Sequence, residues 1–115
     1  MTVEQLITKL EFQVVNKGKN VTQTISKPFC CDLLSIAMSR VPTDAVWVTV
    51  MGNVNTLAVA TLTEAACVIL AEGIQLDAPA QERARMEGVT VLSTELPIFE
   101  SAALVHRLLL ETPEL

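Results

Sequence analysis

The sequence predicts an α/β domain: a mostly parallel sheet with helices on its faces, plus a small N-terminal β unit. Two observations carry this. From residue 45 onward, short β-branched or apolar runs alternate with longer helix-like segments, and that alternation implies a parallel sheet with crossover helices. The strand candidates also end in small or polar residues, Gly52-Asn53, Glu72-Gly73 and Ser93-Thr94. These are the strand ends at which open α/β sheets bind ligands. A length of 115 residues, half of them hydrophobic, suffices for a single domain with a real core. With Trp47, three Phe and no Tyr, that core must be built from Val, Leu, Ile and Ala.

The elements follow in order. Thr2 caps a helix over Val3–Leu10, with Gln5 placed as the reciprocal capping partner. Phe12, Val14 and Val15 indicate a strand, and Asn16-Lys17-Gly18-Lys19 a turn. Residues 21–25 alternate apolar with polar, so a second strand completes the small β unit, and Pro28 ends it. Asp32 is the expected N-cap of a helix over residues 33–41, closed by Pro42-Thr43-Asp44. Residues 45–51 form a β-branched central strand, and Gly52-Asn53 turns the chain into a helix over residues 54–65. Residues 67–71 are a fully apolar strand. Asp77 then caps a helix with Pro79 in its first turn and Gly88 at its end. Its Gln81, Glu82, Arg83, Arg85 and Glu87 mark it as water-facing. Residues 89–92 are the next strand, and Pro97 starts a final helix that reaches about Glu111, before Thr112-Pro113.

Two helices carry too little charge for a surface position. Between Leu33 and Ala71 only Arg40, Asp44 and Glu64 are charged, and on the final helix Glu100, Arg107 and Glu111 share one narrow stripe. A helix packed on a sheet needs an apolar stripe only somewhat wider than about 100°. The surplus can be sandwiched inside the domain, for which a chain this short has few layers, or form a homodimer interface, which resembles a core cut in half and is the favoured reading. The expected interface residues are Leu57, Ala60, Phe99, Ala103, His106 and Leu110.

The chemistry is mostly exclusion. A net charge of −5 with dispersed Lys and Arg argues against nucleic acid and against an anionic membrane surface. No apolar run approaches the roughly 18 residues of a membrane span, and residues 1–10 lack a signal peptide's apolar region, so a cytoplasmic protein is expected. Cys30, Cys31 and Cys67 have no C-x-x-C spacing; they read as free thiols in a reducing compartment, with a redox sensor as the alternative. His106 is the single histidine, and no metal-ligand spacing, P-loop, G-x-S-x-G or G-x-G-x-x-G occurs. A non-enzyme without cofactor or metal is expected. Two ligand sites remain as candidates. Gly52, Asn53, Asn55 and Thr56 lie at a helix N-terminus, whose free N–H groups attract anions. Glu72 and Gly73 with Ser93 and Thr94 are placed to line one crevice, where Glu72 would repel an anion. A small enzyme using Glu72 and the Ser93 and Thr94 hydroxyls would lack a base or a metal.

Three segments carry a family resemblance: W-V-T-V-M-G-N-V-N-T-L-A-V-A, A-A-C-V-I-L-A-E-G-I and E-G-V-T-V-L-S-T-E-L-P-I-F-E-S-A. The chain resembles the DRTGG domain family from Ala45 to about Leu110, and more loosely back to Thr2. In that family the domain is an accessory module of CBS-containing pyrophosphatases and some phosphotransacetylases. Its fold is similar to the N-terminal, non-catalytic domain of HPr kinase/phosphorylase. Stand-alone members are encoded beside bacterial hydrogenase subunits. The resemblance therefore implies a regulatory or interaction module serving an enzyme complex, with small-ligand or nucleotide sensing as the alternative. The name-giving residues depart: Asn53 and Val54 stand for Asp-Arg, and Glu72, Gly73 and Ile74 for Thr-Gly-Gly, which removes the Arg that would partner a phosphate.

Overall fold

The computed structural model describes residues 1–111. In chain order these form α1 (Val3–Leu10), β1 (Gln13–Asn16), β2 (Pro28–Cys30), α2 (Leu34–Arg40) and β3 (Val46–Thr49). They continue with α3 (Val54–Leu62), β4 (Cys67–Leu70), α4 (Ala78–Glu87), β5 (Val91–Ser93) and α5 (Ile98–Glu111). The strands make one sheet in the order β1-β5-β4-β3-β2. β2, β3, β4 and β5 run parallel, and β1 lies antiparallel on the β5 edge. Thr112 and Pro113, expected to stop the last helix, lie outside the described residues.

Strand alternation builds two cores, one on each face. Val46, Val48, Cys67, Ile69 and Leu92 turn toward α1 and α5, where Leu6 and Val105 meet them. Trp47, Val68, Leu70 and Val91 turn the other way, under Ala37, Leu57, Ala60, Ala80 and Ala84 of α2, α3 and α4. The central strands are therefore buried on both faces, which explains their unbroken apolar runs. α3 packs between α2 and α4. This corrects the expectation for Leu57 and Ala60: at 0% and 1% exposed they belong to this chain's own core and are closed to another subunit. Flanking helices on both sides absorb the surplus apolar surface of α3.

The capping signals hold where they are local. Thr2 and Gln5 close a capping box on α1, Asp77 accepts the Ala80 N–H at 2.9 Å, and Gly88 ends α4 at φ 71°. The small N-terminal β unit does not form. β1 joins the main sheet, and residues 21–25 make only a single bridge, Thr24 to Thr2. The carbonyls of Gln23 and Val21 accept the Val3 and Glu4 N–H groups at 3.0 and 2.9 Å. That extended segment serves the orphan donors of a helix start, not a strand partner. Pro28 begins the edge strand β2, where its missing N–H is tolerated.

Asp32 is also not the N-cap of α2; Leu33 holds that position without a side-chain bond. Asp32 Oδ1 instead accepts the Thr49 hydroxyl at 2.7 Å and the Val50 N–H at 2.9 Å, joining the β2–α2 loop to the end of β3. The opposite, amino-terminal edge of the sheet is tied down by the segment after β1. Asn20 donates to the Ala66 carbonyl at 2.7 Å and accepts the Thr90 hydroxyl at 2.9 Å. Gly18 passes so close that a Cβ would lie 2.1 Å from the Gly88 carbonyl oxygen.

Candidate functional site

The loops after β3, β4 and β5 gather at the carboxyl-terminal edge of the sheet, joined there by the start of antiparallel β1. Ala71-Glu72-Gly73-Ile74 is a tight turn with positive φ at Glu72 (59°) and Gly73 (72°), closed by the Ile74 N–H on the Ala71 carbonyl at 3.2 Å. Two consecutive left-handed residues define a type I′ turn, and Glu72 adopts it at the cost of a Cβ clash that glycine avoids. The Glu72 and Gly73 N–H groups donate to the Leu96 and Thr94 carbonyls at 2.8 and 2.9 Å. A Cβ on Gly73 would sit 2.5 Å from the Glu95 carboxylate. The β4–α4 and β5–α5 loops are thus held against each other.

Of the residues expected to bind ligand, Gly73, Ser93 and Thr94 come together. They line one cleft of about 260 Å³ with Glu11, Gln13, Gln75 and Glu95. A second cleft of about 230 Å³ shares Gln13, Gln75 and Ser93 and extends to Gln81. Glu72 lies beside these clefts and lines neither. Gly52, Asn53, Asn55 and Thr56 are also outside them. Gly52 supports the edge by close approach: its carbonyl accepts the Asp77 N–H at 3.1 Å, and a Cβ there would meet the Gln75 carbonyl oxygen at 2.4 Å.

The start of α3 is already occupied by its own cap. The Asn53 side chain accepts the Asn55 and Thr56 N–H groups at 3.0 and 3.2 Å. An anion would have to displace that amide oxygen to reach the donors. The Thr56 hydroxyl is buried with no hydrogen-bond partner among the described residues.

The electrostatics of the carboxyl edge are acidic. The residues lining the two clefts include Glu11 and Glu95 and no Lys or Arg. Neither hydroxyl is hydrogen-bonded to a carboxylate or imidazole: Ser93 donates to the Gln13 amide oxygen at 3.3 Å, and Thr94 Oγ1 accepts the Leu96 N–H at 3.2 Å. An amide does not take a proton from serine, so the Glu72, Ser93 and Thr94 arrangement does not assemble a nucleophile. Gln13 and Glu11 escape sequence reasoning because only the β1–β5 pairing, Gln13 opposite Ser93, brings them here. Gln75 sits in a βα loop and was findable on that ground.

The thiols are free. Cys30 is exposed, and its pKa is raised by partial burial and by the Asp32 carboxylate. Cys67 is buried, which pushes its pKa up to about 12. Both shifts disfavour the thiolate, the reactive form. Among the described residues no cluster of His, Cys, Asp and Glu could hold a metal ion, and no helix is long and apolar enough to cross a membrane.

The final helix presents a second kind of surface. Ser101 and Val105 are buried, with Ile98, Ala102, Leu108 and Leu109 partly buried, so this stripe faces the sheet and α1. Phe99, Ala103, His106 and Leu110 lie exposed on the outer side. Phe99 is 76% and Leu110 70% exposed, and Leu96 extends the stripe at 37%.

The DRTGG domain family model matches residues 5–108. The chain belongs to the DRTGG domain family. It is also similar to a solved structure of the CBS and DRTGG domains of the regulatory region of Clostridium perfringens pyrophosphatase, complexed with its activator diadenosine tetraphosphate. The TM-score is 0.70 at 12% identity, over 90% of this chain and 45% of that one. That likeness is one of fold. This DRTGG chain spans less than half of the neighbour. No curated protein sequence matches it.

Proposed function

We propose that this DRTGG domain is a non-catalytic regulatory module that acts by contact with other protein chains, and that it pairs with a second copy of itself through the outer side of α5. The observation that carries this is the exposed stripe on α5, with Phe99 at 76% and Leu110 at 70% exposed. Contiguous apolar surface of this kind marks an interaction site. The regulatory role rests on the family and on the neighbour, which is a regulatory region of an enzyme. Leu33, Ile36 and Met38, each about half exposed around α2 on the other face of the sheet, leave surface for a different chain once α5 is covered. An enzyme complex is the proposed partner, of the hydrogenase type that the sequence resemblance implies. Light scattering at micromolar concentration is the test. The expected mass is about twice the 12.5 kDa of the chain; a clean monomer overturns the self-pairing.

A second reading, small-ligand or nucleotide sensing, is favoured by the diadenosine tetraphosphate in the neighbour's regulatory region. Here the Asn53 cap and the acidic cleft both oppose a phosphate. The carboxyl-edge clefts suit a neutral polar group bonded by Gln13, Gln75 and Ser93. A thermal-shift series with adenine nucleotides separates the readings. Stabilisation at millimolar ligand would favour sensing, and no shift counts against it.

A further inference from the structure

We infer that the second copy docks antiparallel on α5, with the twofold axis at Ala103 and with Glu100 of each copy paired to Arg107 of the other. The inference rests on the self-pairing proposed above and adds its register and chemistry.

The outer residues are arranged symmetrically about Ala103. Along α5 the pairs Glu100/Arg107 and Phe99/His106 straddle it. At about 100° per residue, partners seven apart fall nearly in line along a helix. Glu100 and Arg107 therefore run along one flank of Ala103, and Phe99 and His106 along the other. All are on the exposed side.

A twofold axis perpendicular to two antiparallel helices keeps like flank against like flank and reverses the direction of travel. It sets Glu100 against Arg107 of the second copy and Arg107 against Glu100. Phe99 then faces His106, and Ala103 meets itself. A parallel pairing would set the charged flank against the aromatic flank and leave both charges without partners. Within one chain these charges lie about 10 Å apart along the axis. Neither has an ion pair among the described residues. The small side chain of Ala103 lies in a dip of about 340 Å³ bordered by Leu96, Phe99 and Leu104. Small residues at a crossing let helices approach closely.

α5 has 14 residues, about 21 Å of helix. The buried area is therefore below that of a standard interface, and the charge pairs make the pairing salt-sensitive. Charge reversal is the test, read by sedimentation at low salt with circular dichroism as the folding control. Glu100→Arg and Arg107→Glu are each expected to weaken the dimer about tenfold. An equimolar mixture of the two variants is expected to recover it as a heterodimer, and the doubly reversed chain as a homodimer. Single variants that dimerise like wild type, or a mixture as monomeric as its components, overturn this register and leave the self-pairing standing. A wild-type monomer overturns both.

Discussion

Asp32 shows how one side chain can serve a distant strand end instead of the helix beside it. Its carboxylate holds the Thr49 hydroxyl and the Val50 N–H, and Thr49 is fully buried. Asp32→Ala leaves the proton of that hydroxyl without an acceptor, although its oxygen still accepts the Met51 N–H at 3.2 Å, and is expected to cost about 1–3 kcal/mol in urea denaturation. Combining it with Thr49→Val should cost less than the sum of the two, because the second change removes the orphan; strict additivity would contradict the clamp. Cys67 makes a pH prediction. Its folded pKa of about 12 lies above the ordinary 9.0, so the native state holds the proton more tightly than the unfolded state. Its contribution to stability is full below pH 9 and is lost as pH rises toward 12. Urea midpoints followed from pH 8 to pH 11 should fall less steeply in Cys67→Ala than in wild type. Parallel declines would contradict this assignment.

At the scale of elements, what was legible depended on how local the signal is. Capping by Thr2 and Asp77 and the stop at Gly88 are decided within a few residues, and the sequence predicts them correctly. The segment 21–25 alternates like a strand. Its bonds go to the start of α1, and no local pattern says where an extended segment spends its hydrogen bonds. Leu57 and Ala60 look as surplus as Phe99 and Leu110 by periodicity alone. They separate only because α3 has helices on both sides while the outer side of α5 has none among the described residues. The two sides of α5 should respond differently to substitution. Val105→Ala, in the core, is expected to lower chain stability by about 1.5–3 kcal/mol. Phe99→Ser should change it by less than about 0.5 kcal/mol when measured dilute enough for monomer, while abolishing self-pairing. Equal destabilisation by both would mean that Phe99 is packed within the chain.

For the whole molecule, the alternation of strands and helices was sufficient for the fold class, because central strands buried on both faces leave an unmistakable apolar run. The candidate site was half legible. Gly73, Ser93 and Thr94 converge, while Glu72 and the Gly52–Thr56 loop stand outside the cleft. Gln13 and Glu11 enter it through a long-range antiparallel pairing that no motif announces. The resulting domain has an acidic edge, whose clefts are lined without Lys or Arg, and an apolar helix face, a distribution suited to contact with proteins more than to phosphate chemistry. The most direct measurement is oxidative cross-linking of an Ala103→Cys variant with Cys30 and Cys31 changed to Ser; Cys67 is buried and out of reach. Facing positions on the axis of two close-packed helices fall within the roughly 7 Å that a disulfide spans. The introduced thiol should convert the chain to a covalent species of about twice 12.5 kDa, far faster than a control thiol introduced at exposed Ser39. Cross-linking no faster than that control would contradict pairing through α5.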